Sequence, residues 1–288
     1  MSRHIKKPQS ALLLGAGYVA RALAPVLQEL GWSVHVTTRS GETSLTDVAC
    51  HKFNGRAPKA LETVFQSADL ILSSIPPFKD GADPALDALG HLTPQASWIG
   101  YLSATSVYGN REGKWAFEGE PPSPTLARGR ARAEAEIAWI ETQWPVHIFR
   151  LAGIYGVGRA PFRKLRSGKA KAVIKDGHVV NRIHVDDIIS ALRLSLGSPQ
   201  PQAIYNLADG HPAPPQDVLD YAAGLIDMPP PPGTDISDPS LSDMARSFYA
   251  ETKRINADKA RQELSWSPVH RSYRDGLSDI LSKTPSSN

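Results

Sequence analysis

Two glycines near the amino end have the spacing of a loop that holds phosphate groups. The stretch GAGYVA begins at Gly15, directly after the apolar run ALLL, and matches the pattern Gly-x-Gly-x-x-Gly/Ala. Gly15 permits a tight turn, Gly17 lets the backbone approach a pyrophosphate, and Ala20 allows a helix to pack closely on a sheet. With Tyr18 and Val19 between them, these residues predict a dinucleotide-binding loop.

The end of the next strand-like run indicates which dinucleotide is bound. An NAD site usually has Asp or Glu here, which accepts hydrogen bonds from the ribose 2′-hydroxyl. This chain has Thr38 and Arg39 in the run VTTRS and no carboxylate. A guanidinium binds a 2′-phosphate through paired hydrogen bonds. We therefore expect NADP as cofactor, with NAD as the other option and a solvated surface charge as the alternative role of Arg39.

Three arginines alternate with small residues in LARGRARAEAE, where a helix is predicted to begin. Arg128 and Arg132 are four residues apart and therefore lie on one helical face. Cations are disfavoured in a first helical turn, because the unpaired amides already make that end positive. A nearby anion would offset this cost. In the alternative interpretation, Arg130 with Glu134 and Arg132 with Glu136 form surface ion pairs.

The elements that position these residues alternate along the chain. The runs ALLL, SVHVTTR, ADLILSSIPP, SWIGYLSATSVYG and VHIFRLAGIYG are typical of strands. A helical pattern follows GAGYVA, although Pro25 interrupts it, and further helices are predicted over 56–68 and 128–143. This alternation predicts an α/β fold, a Rossmann-like doubly wound parallel sheet with a smaller C-terminal substrate lobe.

Loop-rich sequence after about residue 156 suggests where the domains divide. The stretch GVGRAPFRKLRSGKAK and a run of four prolines lie in this part. We expect a cofactor-binding Rossmann domain over 1–155, to which 179–209 return, and a substrate-binding lobe over 156–288.

Composition excludes several classes of function. Of the 288 residues 41% are apolar, and the net charge of +3 is spread along the chain, so nucleic-acid binding is not indicated. The single cysteine, Cys50, cannot form an internal disulfide, and no metal site is assigned. The basic start MSRHIKKPQS precedes only a short apolar run, unlike a signal peptide, and no run approaches the roughly 20 apolar residues of a membrane span. We expect a cytoplasmic protein.

Motifs over nearly the whole chain match the landmarks of one family. They are GAGYVA, ADLILSSIPP, YLSATSVYGN, RLAGIYGVGR, NRIHVDDII, AIYNLADG and NADKARQELSWSP. In these motifs the chain resembles the extended short-chain dehydrogenases/reductases, in the NAD-dependent epimerase/dehydratase family. The resemblance implies that Ser73, Ser74 and Ile75, in the loop after the fourth strand, lie beside the cofactor.

The family's catalytic hydroxyl is not matched. Its members usually combine a Ser or Thr, a Tyr and a Lys, and the Ser or Thr lies four residues before the Tyr of VYG. That tyrosine is Tyr108 here, and the position four residues earlier is Ala104. We expect Thr105 to supply a substrate-orienting hydroxyl, with Ser103 and Ser106 beside it. Tyr108 is a further catalytic candidate, as the phenol of this segment.

The family's Tyr-x-x-x-Lys pair is also absent. It normally opens the next helix, with a Glu four residues after the Lys. If that Glu is Glu136, Arg132 and Arg128 occupy the lysine and tyrosine positions. If it is Glu134, the lysine position is Arg130 and the tyrosine position a leucine. Arginine does not donate protons near neutral pH but does bind anions, so Arg128 and Arg132 are predicted to hold an anionic group.

The motif RIHVDD contains weaker candidates. His184 resembles a catalytic base, but a packed landmark before a helix capped by Asp186 or Asp187 is the favoured interpretation. Arg182 is a candidate ligand for a substrate phosphate.

The resemblance implies an epimerase, dehydratase or reductase. Its substrate would be a polar small molecule, either nucleotide-linked or anionic, and a homodimer is a further option. Because the usual Ser, Tyr and Lys are absent, the alternative is an inactive NADP-binding sensor or regulatory protein.

Overall fold

A computed structural model describes residues 9–284. The basic start MSRHIKKPQS, which is expected not to be a signal peptide, therefore lies outside the described residues, except for Gln9 and Ser10. The strands are β1 (Ser10–Leu14), β2 (Ser33–Thr38), β3 (Ala49–Lys52), β4 (Leu70–Ser73), β5 (Trp98–Ala104), β6 (Trp115–Ala116), β7 (Val146–Leu151), β8 (Gly153–Tyr155), β9 (Ala172–Ile174), β10 (Arg182–His184), β11 (Ile204–Leu207), β12 (Gly233–Asp235) and β13 (Arg254–Ile255).

The α-helices lie between these strands. They are α1 (Tyr18–Glu29), α2 (Lys59–Ser67), α3 (Pro84–Leu89), α4 (Ala127–Glu141), α5 (Phe162–Arg166), α6 (Val185–Gly197), α7 (Pro215–Leu225), α8 (Asp243–Phe248), α9 (Asp258–Glu263) and α10 (Tyr273–Lys283). A 3₁₀ turn, Thr105–Tyr108, follows β5. The helices predicted over 56–68 and 128–143 are present as α2 and α4.

The central sheet is parallel, with the strand order β11-β7-β5-β4-β1-β2-β3. Leu13 lies beside Val36 of β2 on one side and Leu72 of β4 on the other. After β1, the chain first adds β2 and β3 on one side of this strand and then adds β4, β5, β7 and β11 on its other side. The strand order therefore reverses between β1 and β4. Ligands of such sheets bind at the carboxyl ends of the strands where the order reverses. The predicted α/β, Rossmann-like fold is confirmed.

Apolar strands and one face of each flanking helix form the core around this sheet. Leu12, Leu14 and Ile71 of the strands pack with Leu61 and Phe65 of α2. Pro25 lies inside α1, whose buried face continues past it from Leu23 to Leu27. Proline lacks an amide hydrogen, so the helix loses one backbone hydrogen bond there without ending.

The chain divides into two compact units. The first comprises 1–104, 130–150 and 192–204, and the second comprises 105–129, 151–191 and 205–288. Both units are discontinuous in sequence, and the predicted boundary at residue 155 remains a prediction.

The second unit has its own apolar core and short sheets. Two-stranded parallel pairs join β8 with β10, β9 with β12, and β6 with β13. The core packs Tyr155 and Phe162 against Ala222 of α7 and against Leu277 and Ile280 of α10. Within residues 9–284, no helix combines the length and the apolar character that a membrane crossing requires.

Candidate functional site

The glycine loop is fixed by backbone contacts at the carboxyl ends of β1 and β2. Gly15 adopts a positive φ of 90°, which disfavours any residue with a side chain. Its amide donates to Thr37 Oγ1 at 2.8 Å, and the Ala16 amide donates to the Thr37 carbonyl oxygen at 2.8 Å. A Cβ at Gly15 would lie 3.0 Å from Ser74 Oγ. The turn therefore requires glycine for both conformation and space.

Ser74 closes the loop from the β4 side. Its hydroxyl donates to the Gly15 carbonyl oxygen at 2.8 Å and approaches that of Leu14 at 3.2 Å. Ser73, by contrast, is fully buried, and its hydroxyl has no partner in the described part of the chain. Ser74 thus has a defined structural role, whereas the cofactor role predicted for both serines remains a prediction.

A cavity of about 630 Å³ opens at these strand ends in the first unit. Of the predicted cofactor residues, those that line it are Gly15, Gly17, Thr38, Arg39, Ser74 and Ile75. Tyr18, Val19 and Ala20 form the start of α1, where Val19 and Ala20 are buried. The cavity therefore lies where the sheet order reverses, at the place expected for a dinucleotide.

Gly17 leaves the amino end of α1 open. It is the residue before Tyr18, and α1 has neither a side-chain cap nor an acidic residue in its first turn. A Cβ at Gly17 would touch only Ser74 Oγ, at 3.7 Å, and the backbone there is extended. The protein itself thus leaves room for a side chain at Gly17, and the cofactor role predicted for this glycine remains a prediction.

Thr38 and Arg39 stand at the end of β2. The Thr38 hydroxyl accepts a hydrogen bond from the Gly41 amide at 2.9 Å, which fixes the turn after the strand. Arg39 is exposed, lines the cavity, and makes no hydrogen bond or ion pair within residues 9–284. Its guanidinium is therefore available to an anion.

Sequence reasoning missed other residues of the cavity wall. Phe53, Asn54 and Gly55 follow β3, and Pro76, Pro77, Phe78 and Pro84 follow β4. The available signal was position, because residues just after parallel strands gather at one edge of the sheet. It did not reach 53–55, since β3 was not predicted.

Arg132 packs on β5 within the first unit. Its Nη1 donates to the Leu102 carbonyl oxygen at 2.9 Å and to the Tyr101 hydroxyl at 3.2 Å. Burial raises the pKa of Tyr101, so this phenol stays protonated. Because α4 begins at Ala127, Arg132 lies in the second helical turn, and the expected crowding of three arginines into the first turn is wrong.

Arg128 is exposed in the second unit. Its Nη2 donates to the Ser247 carbonyl oxygen at 3.2 Å, and its guanidinium carbon lies 5.2 Å from the centre of the Phe248 ring. One hydrogen bond leaves most of the five guanidinium N–H groups for other acceptors. These remaining N–H groups are available to an anion, whereas anion binding by Arg128 remains a prediction.

The ion pair between Arg132 and Glu136, the alternative interpretation of these residues, does not form. Glu136 is buried and pairs with buried Arg150, whose Nη2 lies 2.7 Å from Oε2 and whose Nε lies 3.1 Å from both carboxylate oxygens. Ser103 also donates to Glu136 Oε1. Glu134, by contrast, is exposed. The buried acid is thus Glu136, which favours the helix register with Arg128 and Arg132 on its face.

The hydroxyl candidates after β5 differ in their contacts. Tyr108 is buried and donates to Asn206 Oδ1 at 2.8 Å. Thr105 is half-buried, and its side chain makes no hydrogen bond in the described chain. Ser103 is occupied by Glu136. Among these groups, Thr105 has the hydroxyl available to a ligand, and its catalytic role remains a prediction.

The motif RIHVDD corrects one expectation. Asp187 does not cap α6, because its carboxylate accepts hydrogen bonds from the amides of Val269 and His270. The Asp186 amide donates to Nδ1 of His184 instead, at 3.2 Å. Arg182 donates to the carbonyl oxygens of Val180 and Ala213.

Two proteins match the chain along most of its length. It is 31% identical over 223 residues to Protein YeeZ of Escherichia coli (strain K12), which covers 70% of this chain and 78% of that protein. It is 40% identical to a conserved protein of unknown function from Silicibacter pomeroyi, whose structure has a TM-score of 0.86 and covers 95% of this chain and 98% of that one. The chain belongs to the same family as these two proteins. No family model matches it.

Proteins of lower identity share the fold or part of the sequence. The dTDP-glucose 4,6-dehydratase of Bacillus anthracis, solved with NAD, is 19% identical, with a TM-score of 0.77 over 95% of this chain and 96% of that one. A 3-diazoavenalumate denitrifying reductase of a Streptomyces species is 29% identical over 167 residues, 55% of each chain. The predicted extended short-chain dehydrogenase/reductase architecture is thus confirmed.

Proposed function

We propose that the cavity at the ends of β1, β2 and β4 binds NADP(H). The observation that carries this proposal is the pairing of an uncapped α1 terminus with the unpartnered guanidinium of Arg39 on the same cavity wall, within the described residues. The first would bind the pyrophosphate and the second the ribose 2′-phosphate. The NAD-bound dehydratase structure supports a nicotinamide dinucleotide in this fold.

Arg39→Ala is expected to weaken NADP(H) binding about 10- to 150-fold and to leave NAD(H) binding nearly unchanged. A charge-assisted hydrogen bond contributes about 1.5–3 kcal/mol, and each 1.4 kcal/mol is about tenfold in affinity. Fluorescence titration of the reduced cofactors measures both constants.

Gly17→Val is the comparison variant for this measurement, because it tests the position of the site, whereas Arg39→Ala tests the preference for the 2′-phosphate. A Cβ at Gly17 meets no backbone atom of the protein within 4 Å, whereas it would obstruct the pyrophosphate that both cofactors share. Both affinities should therefore fall together. Equal loss of both cofactors in Arg39→Ala would contradict the phosphate assignment, and normal binding in folded Gly17→Val would contradict the position of the site.

We further propose that the protein is an oxidoreductase for a small anionic substrate. Arg128, with its largely unpaired exposed guanidinium, would bind the anion, and Thr105 would orient the reacting oxygen. Arg132 would hold the end of β5 in place. The reductase name of the Streptomyces relative supports this reaction class. Because α4 has neither Tyr nor Lys at its start, the proton would come from water or from Tyr108, whose hydroxyl would have to turn away from Asn206.

Arg128→Ala should abolish most stabilisation by anionic ligands while leaving NADP binding intact. The expected loss of affinity is about tenfold or more, since a guanidinium makes paired, charge-assisted hydrogen bonds to phosphate and carboxylate. Thermal shift with NADP present, using UDP-glucose and benzoate as probes, measures it. Arg193→Ala, an exposed arginine on α6, is the control. Unchanged ligand shifts in Arg128→Ala would contradict the anion role, and binding without turnover of any probe would favour a sensor.

A further inference from the structure

Four potential metal ligands from distant parts of the chain meet in the second unit. His184 ends β10, Asp186 lies in the first turn of α6, His270 precedes α10, and Asp279 lies within α10. Each offers one nitrogen or oxygen, and these four atoms all lie within 4.8 Å of one another. We call these residues the His184 cluster. Imidazole and carboxylate groups in this combination are the ligands of divalent transition metals.

His270 is oriented as metal-binding histidines usually are. Its Nδ1 lies 2.9 Å from Oδ2 of the buried Asp187, which also accepts the amides of Val269 and His270 and is therefore fixed in place. A carboxylate on one ring nitrogen sets the tautomer and directs the lone pair of the other nitrogen toward a metal. That other nitrogen, Nε2, faces Asp279 Oδ2 at 3.3 Å.

His184 places its ring beside the same carboxylates. Its Nδ1 accepts the Asp186 amide and lies 3.7 Å from Asp186 Oδ2. The ring is buried and lies against that of His270, with centroids 3.8 Å apart. Without a metal, the Asp186 amide, the His270 ring and Lys283 satisfy these groups. On binding a metal, a ring nitrogen of His184 would release its present partner and join Nε2 of His270 and the two carboxylate oxygens as the fourth ligand atom.

A side-chain cation already approaches the cluster. Lys283 Nζ lies 2.7 Å from Asp279 Oδ2 and 3.5 Å from Asp186 Oδ2. The lysine side chain is 51% exposed, so it can turn into solvent without leaving a buried gap. The two carboxylates thus already pair with a cation, and a metal ion would replace it.

We propose that the His184 cluster binds a divalent transition metal, with Zn²⁺ as the natural ion. The ligands would be His184, Asp186, His270 and Asp279, with Asp187 orienting His270. Zinc bonds of about 2.0–2.2 Å in a tetrahedron place neighbouring ligand atoms about 3.4 Å apart. The 3.3 Å separation of His270 from Asp279 and the 3.7 Å separation of His184 from Asp186 are near this value, and all four atoms lie within 4.8 Å of one another. The metal would join α10 to the start of α6.

Co²⁺ titration of the untagged chain tests this proposal, because tetrahedral Co²⁺ has a visible spectrum and Zn²⁺ then displaces it. Wild-type protein should give this spectrum with one ion per chain. Asp279→Asn and His270→Gln should each weaken binding at least tenfold. Lys283→Met should tighten it, because the competing ammonium is gone. Asp220→Asn, the same chemical change at an exposed site on α7, and His35→Gln, which breaks the histidine pair on β2 and β3, should leave it unchanged.

Three outcomes would overturn the proposal. They are the lack of a Co²⁺ spectrum in both wild-type protein and Lys283→Met, unchanged affinity in Asp279→Asn, and a spectrum lost in His35→Gln. Asp279 is only partly buried, so this variant stays informative if His270→Gln does not fold. A rise in melting temperature with Zn²⁺ that is absent in Asp279→Asn would provide independent support.

Discussion

Replacing Arg150 with methionine is expected to lower the free energy of unfolding by about 3–5 kcal/mol, the usual cost of leaving one buried charge without its partner. Arg150 and Glu136 are both 2% exposed and are joined through both carboxylate oxygens. In the variant, Glu136 keeps the Ser103 hydroxyl as a hydrogen-bond donor but loses the guanidinium. Its carboxylate must then be buried uncompensated or become protonated.

Urea unfolding of the single and double variants measures this effect. Glu136→Leu alone should cost a similar amount, because it leaves the guanidinium of Arg150 without its carboxylate. The double variant Arg150→Met/Glu136→Leu should lose much less than the sum of the two, since an apolar pair of similar size often replaces a buried ion pair without loss. Single variants that each cost under about 1 kcal/mol, or strictly additive losses, would show that the two charges do not depend on each other.

Asp209→Asn is expected to stabilise the protein above pH 7. Asp209 is buried, and its Oδ2 has no hydrogen-bond partner among residues 9–284. Burial raises the pKa of Asp209 from 3.8 to about 7, against the opposing effects of the His211 amide and of Arg182 and Arg261. Between these two pH values the folded chain holds a proton that the unfolded chain has released. The contribution of Asp209 to the free energy of unfolding is therefore fully present below about pH 4, and it is lost as the pH rises through about 7.

The size of this loss follows from the shift. A displacement of about three pH units corresponds to roughly 4 kcal/mol between acid and alkaline pH. Denaturation at pH 5 and pH 8 should show wild-type protein losing stability across this interval and Asp209→Asn losing less. Asp220→Asn, on the surface of α7, controls for the general loss of an acid. The same pH dependence in Asp209→Asn and wild-type protein would show that another group is responsible.

Local sequence patterns determined the sheet and the loop that begins it. ALLL and the apolar part of ADLILSS became β1 and β4, because short continuous apolar runs are typical of parallel strands buried on both faces, and the alternating run SVHVTT became β2. Gly15 was equally predictable, since its positive φ is a local requirement. These features depend on neighbours in sequence.

Elements at the margin of the fold were harder to predict. The strand β3, ACHK, is half-exposed and carries no apolar run, since it pairs only with β2 at the sheet edge. Its pairing, and hence the cavity residues after it, depends on a neighbour outside its own sequence. The same limit applies to the ion-pair partner of Glu136, since helical spacing suggested Arg132 as that partner. Its partner is Arg150 on β7, where the guanidinium is buried and correctly aligned.

The sequence by itself therefore determined the Rossmann-like fold and the position of the glycine loop, because each depends on contiguous residues. Only the tertiary structure decided which charges are paired and which buried polar groups have no partner. His184 and Asp279 are 95 positions apart, and no periodicity in the sequence would bring their side chains together. Their meeting follows from the packing of α10 in the second unit, and burial there also sets the pKa of Asp209. Such properties depend on long-range contacts and local dielectric, which no short stretch of sequence specifies.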